Sequence, residues 1–307
     1  GTPVISASSP ALKPIFGHGV IEAKSSEDVS NRLKALRMSP NLRDEITYEA
    51  RMRILLSHTY SHRVDQILKA VGLGTRVLGE PKVSIIAATN RPHQIKHLLK
   101  QVGKQIGVEI QLLVGTHGFE ATREQIDFAR QLGVNAKWCE IDSDITLGAM
   151  YNRLIERADC PLIAKFDDDD DYGEFYLLEQ ATAIDSMGAD LCGKKSHFVR
   201  LPLNGDERLA VTYPGQEHCF TEFVSGPTIF ATAEVMREIG FEDRSRGEDT
   251  ALLKAVIAAD GKIWSTGRHG FKQNRLGSAH TWLAKPEEIL RHSQLTEFSS
   301  SHVRRTY

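Results

Sequence analysis

The chain has 307 residues, enough for one large domain or two smaller ones. It is 41% hydrophobic and 25% charged with a formal net charge of −2, an ordinary globular composition with no basic field, so no nucleic-acid partner is expected. No apolar run approaches the ~20 residues that span a bilayer, so no transmembrane segment is expected. No signal peptide is visible. Cys139, Cys160, Cys192 and Cys219 are widely separated, form no metal-ligand pair and read as reduced thiols. A cytoplasmic setting is expected. The sequence opens at Gly1, inside what already looks like a domain, so a fragment of a longer protein is expected.

Val4-Ile5-Ser6 suggests a short strand, followed by a Pro/Gly-punctuated stretch to Gly19. A helix starts at Ser26-Glu27 and carries Val29, Leu33 and Leu36 on one face. Ser39-Pro40 is a second helix start, a capping serine followed by proline at the first helical position. Leu42, Ile46, Ala50 and Ile54 then recur every four residues. His58-Thr59-Tyr60 interrupts the pattern, and Val64, Ile67, Leu68 and Val71 resume it. These apolar faces are expected to bury against a partner surface. Gly74, Gly79 and Pro81 mark residues 73–81 as a linker.

From Pro81 strands alternate with helices, which predicts an α/β fold with a largely parallel sheet. The strands are Val83–Ala87, Glu109–Val114, Lys137–Ile141 and the apolar run Pro161–Phe166. Helices carrying Leu98 and Leu99, Ile126 and Ala129, and Tyr151 and Leu154 fall between them. Later come a helix through Leu177 and Ile184, strands around an Asn204-Gly205 turn, and a strand broken by glycine and proline over residues 223–230. A helix follows Gly247-Glu248-Asp249, and residues 262–265 form the last expected strand.

Asp167 to Asp171 follow the apolar run directly. Five acids at a strand's carboxyl end lie where open α/β sheets bind ligands. Their repulsion is relieved if a hard divalent cation sits there. A solvated acidic loop is the competing reading, and Asp170 and Asp171 have a further alternative as caps of the next helix. Glu248-Asp249 offers a carboxylate that takes a proton from an attacking hydroxyl, or two acids that complement a helix N-terminus. Thr89, Asn90 and Arg91, at the first strand's end, are either nucleotide contacts, with Asn90 on a base edge and Arg91 on a phosphate, or plain turn chemistry.

Two resemblances extend this reading. Gly1 to Ser6, Gly17 to Gly19 and Ser57-His58-Thr59-Tyr60-Ser61-His62-Arg63 resemble the tail of a group 1 glycosyltransferase of the two-Rossmann (GT-B) type. This implies that residues 1–78 are the mostly helical end of such a domain, whose remainder would lie upstream. Val83 to Ile86 with Thr89 to Pro92, Leu147-Gly148-Ala149 with Asn152, the Asp run, Gly226 and Gly247-Glu248-Asp249 resemble a family 2 glycosyltransferase of the GT-A fold. That second resemblance implies a Rossmann-like, mostly parallel sheet with helices on both faces over residues 79–307. It also implies a nucleotide-diphospho-sugar donor, a glycan or other hydroxyl acceptor, Mn or Mg as cofactor, and inversion at the anomeric carbon. Residue by residue, it implies Asp169 as main metal ligand with Asp167 assisting and His280 a further ligand. Asp167, Asp168 and Gly226 would join Thr89, Asn90 and Arg91 around the donor, with Asp249 as base beside Glu248.

Where such enzymes often place an acid at the second strand's end, this chain has Gly115-Thr116-His117-Gly118, which leaves the base open. The resemblance further implies bacterial surface polysaccharide synthesis, peripheral to the inner face of the membrane. A metal-dependent nucleotidyltransferase and a catalytically silent nucleotide-sugar binding module are the alternative readings.

Overall fold

A computed structural model describes residues 2–74, 79–142, 144–276 and 285–296. The chain divides into two compact units, Gly1–Glu80 and Pro81–Tyr307.

In the first unit β1 (Val4–Ala7), α1 (Leu12–Phe16) and β2 (Val20–Ala23) form a parallel βαβ unit, with Val4 opposite Val20. Then come α2 (Ser26–Met38), α3 (Pro40–Ser57) and α4 (Tyr60–Ala70). The starts are set by side-chain caps: Ser25 accepts the Asp28 N–H, Ser39 that of Leu42, and Thr59 that of His62. Met52, Leu36 and Tyr48 make a small core, and β2 is entered through Gly19, where a Cβ would lie 2.3 Å from that of Ala50. The apolar periodicity of α4 marks the helix but not its burial. Val64 and Ile67 are 54% and 62% exposed.

The second unit opens with β3 (Lys82–Thr89), α5 (Ile95–Gly103), β4 (Glu109–His117), α6 (Arg123–Gln131), β5 (Ala136–Ile141), α7 (Leu147–Glu156) and β6 (Leu162–Lys165). These strands pair in parallel in the order β6-β3-β4-β5 and are apolar because the sheet is covered, as at Ile85, Ile86, Leu112 and Leu113. The chain continues through β7 (Asp171–Tyr172), α8 (Tyr176–Met187), β8 (Leu191–Gly193), β9 (Phe198–Leu203), β10 (Asp206–Thr212) and β11 (Cys219–Phe220). It ends, among the described residues, with β12 (Phe230–Thr232), α9 (Ala233–Ile239), α10 (Glu248–Ala258), β13 (Ile263–Ser265), β14 (Phe271–Asn274), α11 (Pro286–Leu290) and β15 (Ser293–Leu295).

The expected mostly parallel sheet is corrected here. The eight-stranded sheet is mixed, in the order β11-β13-β8-β12-β6-β3-β4-β5, with β12 antiparallel to both neighbours and β11 antiparallel to β13. A second sheet, β15-β10-β9-β14-β7, has one parallel pair, β9 with β14. The sequence hid this because residues 223–230 are not one strand. Thr228 Oγ1 donates to Ser225 O at 2.7 Å and closes a 3-10 turn over Gly226–Thr228, so that only Phe230–Thr232 pairs. The consequence is functional. As β12 runs against β6, with Phe230 opposite Ala164, its entry turn lies at the carboxyl edge of β6.

β14 was not expected at all, since Phe-Lys-Gln-Asn carries no apolar alternation. The Asn204-Gly205 turn is as expected, with both residues in the left-handed region (φ 54° and 84°) that a two-residue hairpin needs. All four cysteines are free, Cys139 and Cys192 buried. Among the described residues no helix is long and apolar enough to cross a membrane.

Candidate active site

The acidic run is held by the aromatic residues around it. Phe166 and Tyr172 stack with ring centroids 3.7 Å apart, and Tyr176 and Phe271 close the cluster. Tyr172 Oη accepts the Asp167 N–H at 2.8 Å and donates to Pro227 O at 2.9 Å, fastening the run to the β12 entry turn.

The five aspartates divide by their partners. Asp168 is buried and accepts from Thr89 Oγ1 and from the Arg91 guanidinium, with Arg91 Nε at 3.2 Å. Burial raises its carboxyl although Arg91 pulls the other way. Arg91 Nη1 also reaches Asp169 at 2.9 Å. This guanidinium, expected on a phosphate, is therefore committed to two carboxylates. Burial alone would lower its pKa, but Asp169 and Asp168 raise it.

Asp171 turns away and pairs with Lys272 at 2.8 Å, which holds its carboxyl low against the effect of burial. Asp170 is buried, accepts the Asn274 N–H at 2.8 Å, and is raised well above the usual carboxylate range by burial and by Asp169 and Asp167. Neither Asp170 nor Asp171 caps the next helix, which begins after Phe175 without a side-chain cap. Asp167, Asp169 and Asp170 each bring a carboxylate oxygen within 4.8 Å of the others.

The acidic pair comes from a different direction. Gly247, at φ 76°, turns the chain into α10 and puts Glu248 and Asp249 in its first turn. Gly226 makes room for Asp249: a Cβ there would lie 1.9 Å from Asp249 Oδ2. Burial pushes the Asp249 carboxyl up to about 6, with Glu248 adding to the rise and Lys165 opposing it. Its Oδ1 is buried with no hydrogen-bond partner among the described residues. Glu248 is buried beside it.

Lys165 connects the two groups, and sequence reasoning missed it by treating residues 161–166 as an apolar run. Its Nζ lies 2.7 Å from Asp167 Oδ1 and 3.3 Å from Asp249 Oδ2, with the ring of Tyr151 at 5.1 Å. The available signal was the spacing, since residues 165 and 167 point to the same face of an extended chain. Lys272 and Asn274 were missed with β14.

Thr89, Asn90, Arg91, Asp167 to Asp170, Gly226, Glu248 and Asp249 all line one cavity of about 910 Å³. The structure thus brings together every expected site residue except His280, which lies outside the described residues.

Comparison with known proteins adds the following. Residues 1–69 match the family described as glycosyl transferase-like. No curated protein matches the chain. Among solved structures, S. aureus TarS 1-349 in complex with UDP-GlcNAc is similar at 18% identity and a TM-score of 0.50, covering 68% of this chain and 64% of that one. TarS 1-349 alone gives 0.49 at 18% identity, over 63% and 60%. The mannosyltransferase PcManGT from Pyrobaculum calidifontis, in complex with GDP-Man and Mn2+, gives 0.48 at 12% identity, over 66% and 59%. The chain covers less than two thirds of the length of each of these. Likeness at such identity concerns fold alone.

These findings correct the family expectation. The family that matches is of the group 1 (GT-B) kind and lies at the front of the chain, where a group 1 tail was expected. Nothing in it supports family 2 membership or a GT-A classification for residues 79–307, and that assignment is withdrawn. The physical reason is that strand-end acids and an acidic pair at a helix start answer general demands of nucleotide chemistry. Their order along a chain does not select one class of fold.

Proposed function

We propose that residues 79–307 transfer a sugar from a nucleotide-diphospho-sugar to an acceptor hydroxyl, with Asp249 as the base, and that residues 1–78 belong to a group 1-type domain. The observation that carries this reading is Asp249 itself. It is a carboxylate with a pKa of about 6 and one buried oxygen that has no partner among the described residues, in the same cavity as three convergent aspartates. A base at that pKa is largely ionised at neutral pH yet basic enough to take a hydroxyl proton as attack proceeds. The acceptor oxygen bonds to the anomeric carbon, the bond from that carbon to the diphosphate breaks, and the hydroxyl proton passes to Asp249 and then to solvent. A single displacement of this kind inverts the anomeric carbon.

Asp167, Asp169 and Asp170 fit a divalent ion such as Mn or Mg, being hard oxygen donors that otherwise repel one another. Such an ion, when bound, neutralises the charge that develops on a leaving diphosphate. Arg91 and Asp168 form the fixed wall beneath these residues. Lys165 keeps Asp167 and Asp249 apart in charge and close in space. Asn90 and His117, at the carboxyl ends of β3 and β4, are the available groups for the nucleoside. The front-end family match and the UDP-GlcNAc held by a protein of similar fold support a sugar nucleotide as the donor.

The test is a thermal-shift screen of UDP, GDP and dTDP with and without Mn, followed by turnover of the matching sugar nucleotides with and without a glycan acceptor. Metal-dependent stabilisation by one base, and acceptor-dependent release of its diphosphate, are expected. Nucleotidyl transfer would release pyrophosphate instead, and a silent binding module would bind without turnover. The absence of any nucleotide effect overturns the reading.

A further inference from the structure

Within the same cavity, away from the acids, sits an aromatic group with no role so far. Tyr213 and His292 stack with ring centroids 5.1 Å apart and planes 9° from parallel. Phe223 lies 6.4 Å from Tyr213 and is 39% exposed. All three line the cavity.

Tyr213 is held in place against its backbone preference. At φ 39° it occupies the left-handed region, which bulky side chains enter only where the surroundings enforce it. Its N–H donates to His292 O at 2.6 Å, joining the end of β10 to the start of β15 next to the Thr212 and Ser293 register pair. Strain of this kind persists at sites where a side chain must point in one direction.

The second sheet gives the position. Asp171, Lys272, Phe198 and Val211 are successive partners across β7, β14, β9 and β10. Three strand spacings put the backbone near Tyr213 about 14 Å from the acidic run. The opposite side of the chain's topology, the carboxyl ends of β3 and β4, offers Asn90 and His117 for the nucleoside. The aromatic group is therefore set apart, along the second sheet, from the acidic run. It shares a wall with the base, because Phe223 leads through Ser225 directly to Gly226, the residue packed on Asp249.

We propose that Tyr213, His292 and Phe223 form an acceptor subsite for a pyranose ring, so that the acceptor is a glycan and not a simple alcohol. This inference rests on the transferase reading above. The apolar face of a pyranose presents C–H groups of slight positive charge, which pack on the negative face of an aromatic ring. Glu288 also lines the cavity; its Oε2 accepts the Lys285 N–H, which leaves its other oxygen as an acceptor for the ring hydroxyls.

The experiment is saturation-transfer NMR on the full chain, with the methyl pyranosides of glucose, galactose, mannose and N-acetylglucosamine as probes and glycerol as an open-chain control. UDP and GDP with Mn are titrated in parallel. At least one pyranoside is expected to receive saturation where glycerol does not. Tyr213→Ala and Phe223→Ala should each reduce that signal at least fivefold and leave nucleotide affinity within twofold. Tyr213→Phe keeps the ring and should keep the signal, which separates lost stacking from lost folding. Nucleotide binding without any pyranoside binding overturns the subsite. So does a Tyr213→Ala variant that loses nucleotide and not sugar, which would make this a base platform. Sugar binding at Tyr213 with no nucleotide binding leaves the subsite and removes the transferase reading. Binding of neither removes both.

Discussion

Two acidic regions meet in the cavity, and they use their charge differently. After β6 five carboxylates are shared out among cations: Arg91 takes Asp168 and bonds Asp169, and Lys272 takes Asp171. Asp167, Asp169 and Asp170, the first held by Lys165 and the second by Arg91, still form a triad whose oxygens converge. At the start of α10 there are only two carboxylates, and the cation that Asp249 meets among the described residues, Lys165, is shared with Asp167. The first region is built to gather positive charge and the second to hold one carboxylate partly unsatisfied. The lesson is that a run of acids does not state its role. The cations that fold against it do.

The sharpest way to break the comparison is Asp249→Asn. The variant keeps shape and hydrogen bonding but accepts no proton, and loss of a general base costs ~10²–10⁴ in rate. Initial rates at saturating donor and acceptor measure it, with nucleotide affinity in Mn unchanged. A rate within a few-fold of the parent would move the base to Glu248.

Next in size is the division within the run. Asp168→Ala removes one of the two carboxylates that hold a mostly buried guanidinium and leaves it only Asp169. Breaking a buried pair costs up to about 3–5 kcal/mol, here toward the lower end because the Arg91 side chain is 21% exposed. Asp169→Ala should change stability much less and abolish metal-dependent nucleotide binding. Denaturant melts and nucleotide titrations on the two variants check this. Equal behaviour of the two would dissolve the distinction between wall and triad.

Gly226→Ala tests the approach between the regions. The new Cβ, 1.9 Å from Asp249 Oδ2, must displace the carboxylate. A displacement of about 1 Å costs on the order of 10² in rate. Nucleotide binding should survive, since the triad is untouched. An unchanged rate would show that Asp249 need not sit where it does.

How far this arrangement was legible depends on what each residue's environment needed. β6 and its acids stood out because an apolar run stopping at charge is a local pattern. The Asn204-Gly205 hairpin did too, because φ 54° and 84° demand such residues. Lys165 did not, since its burial is justified only by Asp167 and by Asp249, 84 residues away. β14 did not, since Lys272 and Asn274 are strand residues by virtue of the acids they serve. The exposed face of α4 shows the converse, a clear helical period that said nothing about burial. The class of fold was misjudged for a related reason: chemistry at strand ends was readable, but the direction of β12, three residues long, was not.

The smallest expected effect is on pH dependence, and it separates the two regions by sign. Asp249 has a folded-state pKa of about 6, above its ordinary 3.8, chiefly through burial. As a base it must be ionised, so kcat/KM, which reports the free protein, should fall along an acid limb centred near pH 6, about tenfold by one unit below it. The same shift sets a stability dependence. A carboxyl raised on folding favours the folded protein fully below pH 3.8, and this contribution is lost as pH rises through about 6. Above that point the ionised Asp249 opposes folding, so Asp249→Asn should melt higher than the parent at pH 8 and should flatten the melting profile between pH 4 and 7. Asp171 runs the other way. Held low by Lys272, it stabilises above its unfolded value and loses that contribution as the solution is acidified. An Asp171→Asn variant should therefore melt lower than the parent at pH 8 and approach it in acid. The measurement is a melting series from pH 2 to 8 on the parent and both variants, since the Asp171 contribution is lost only below about pH 3.8. Shifts of the same sign in the two variants would mean that Asp249 is held by its cation as Asp171 is, and the carboxylate assigned as base would lose its reason to be basic.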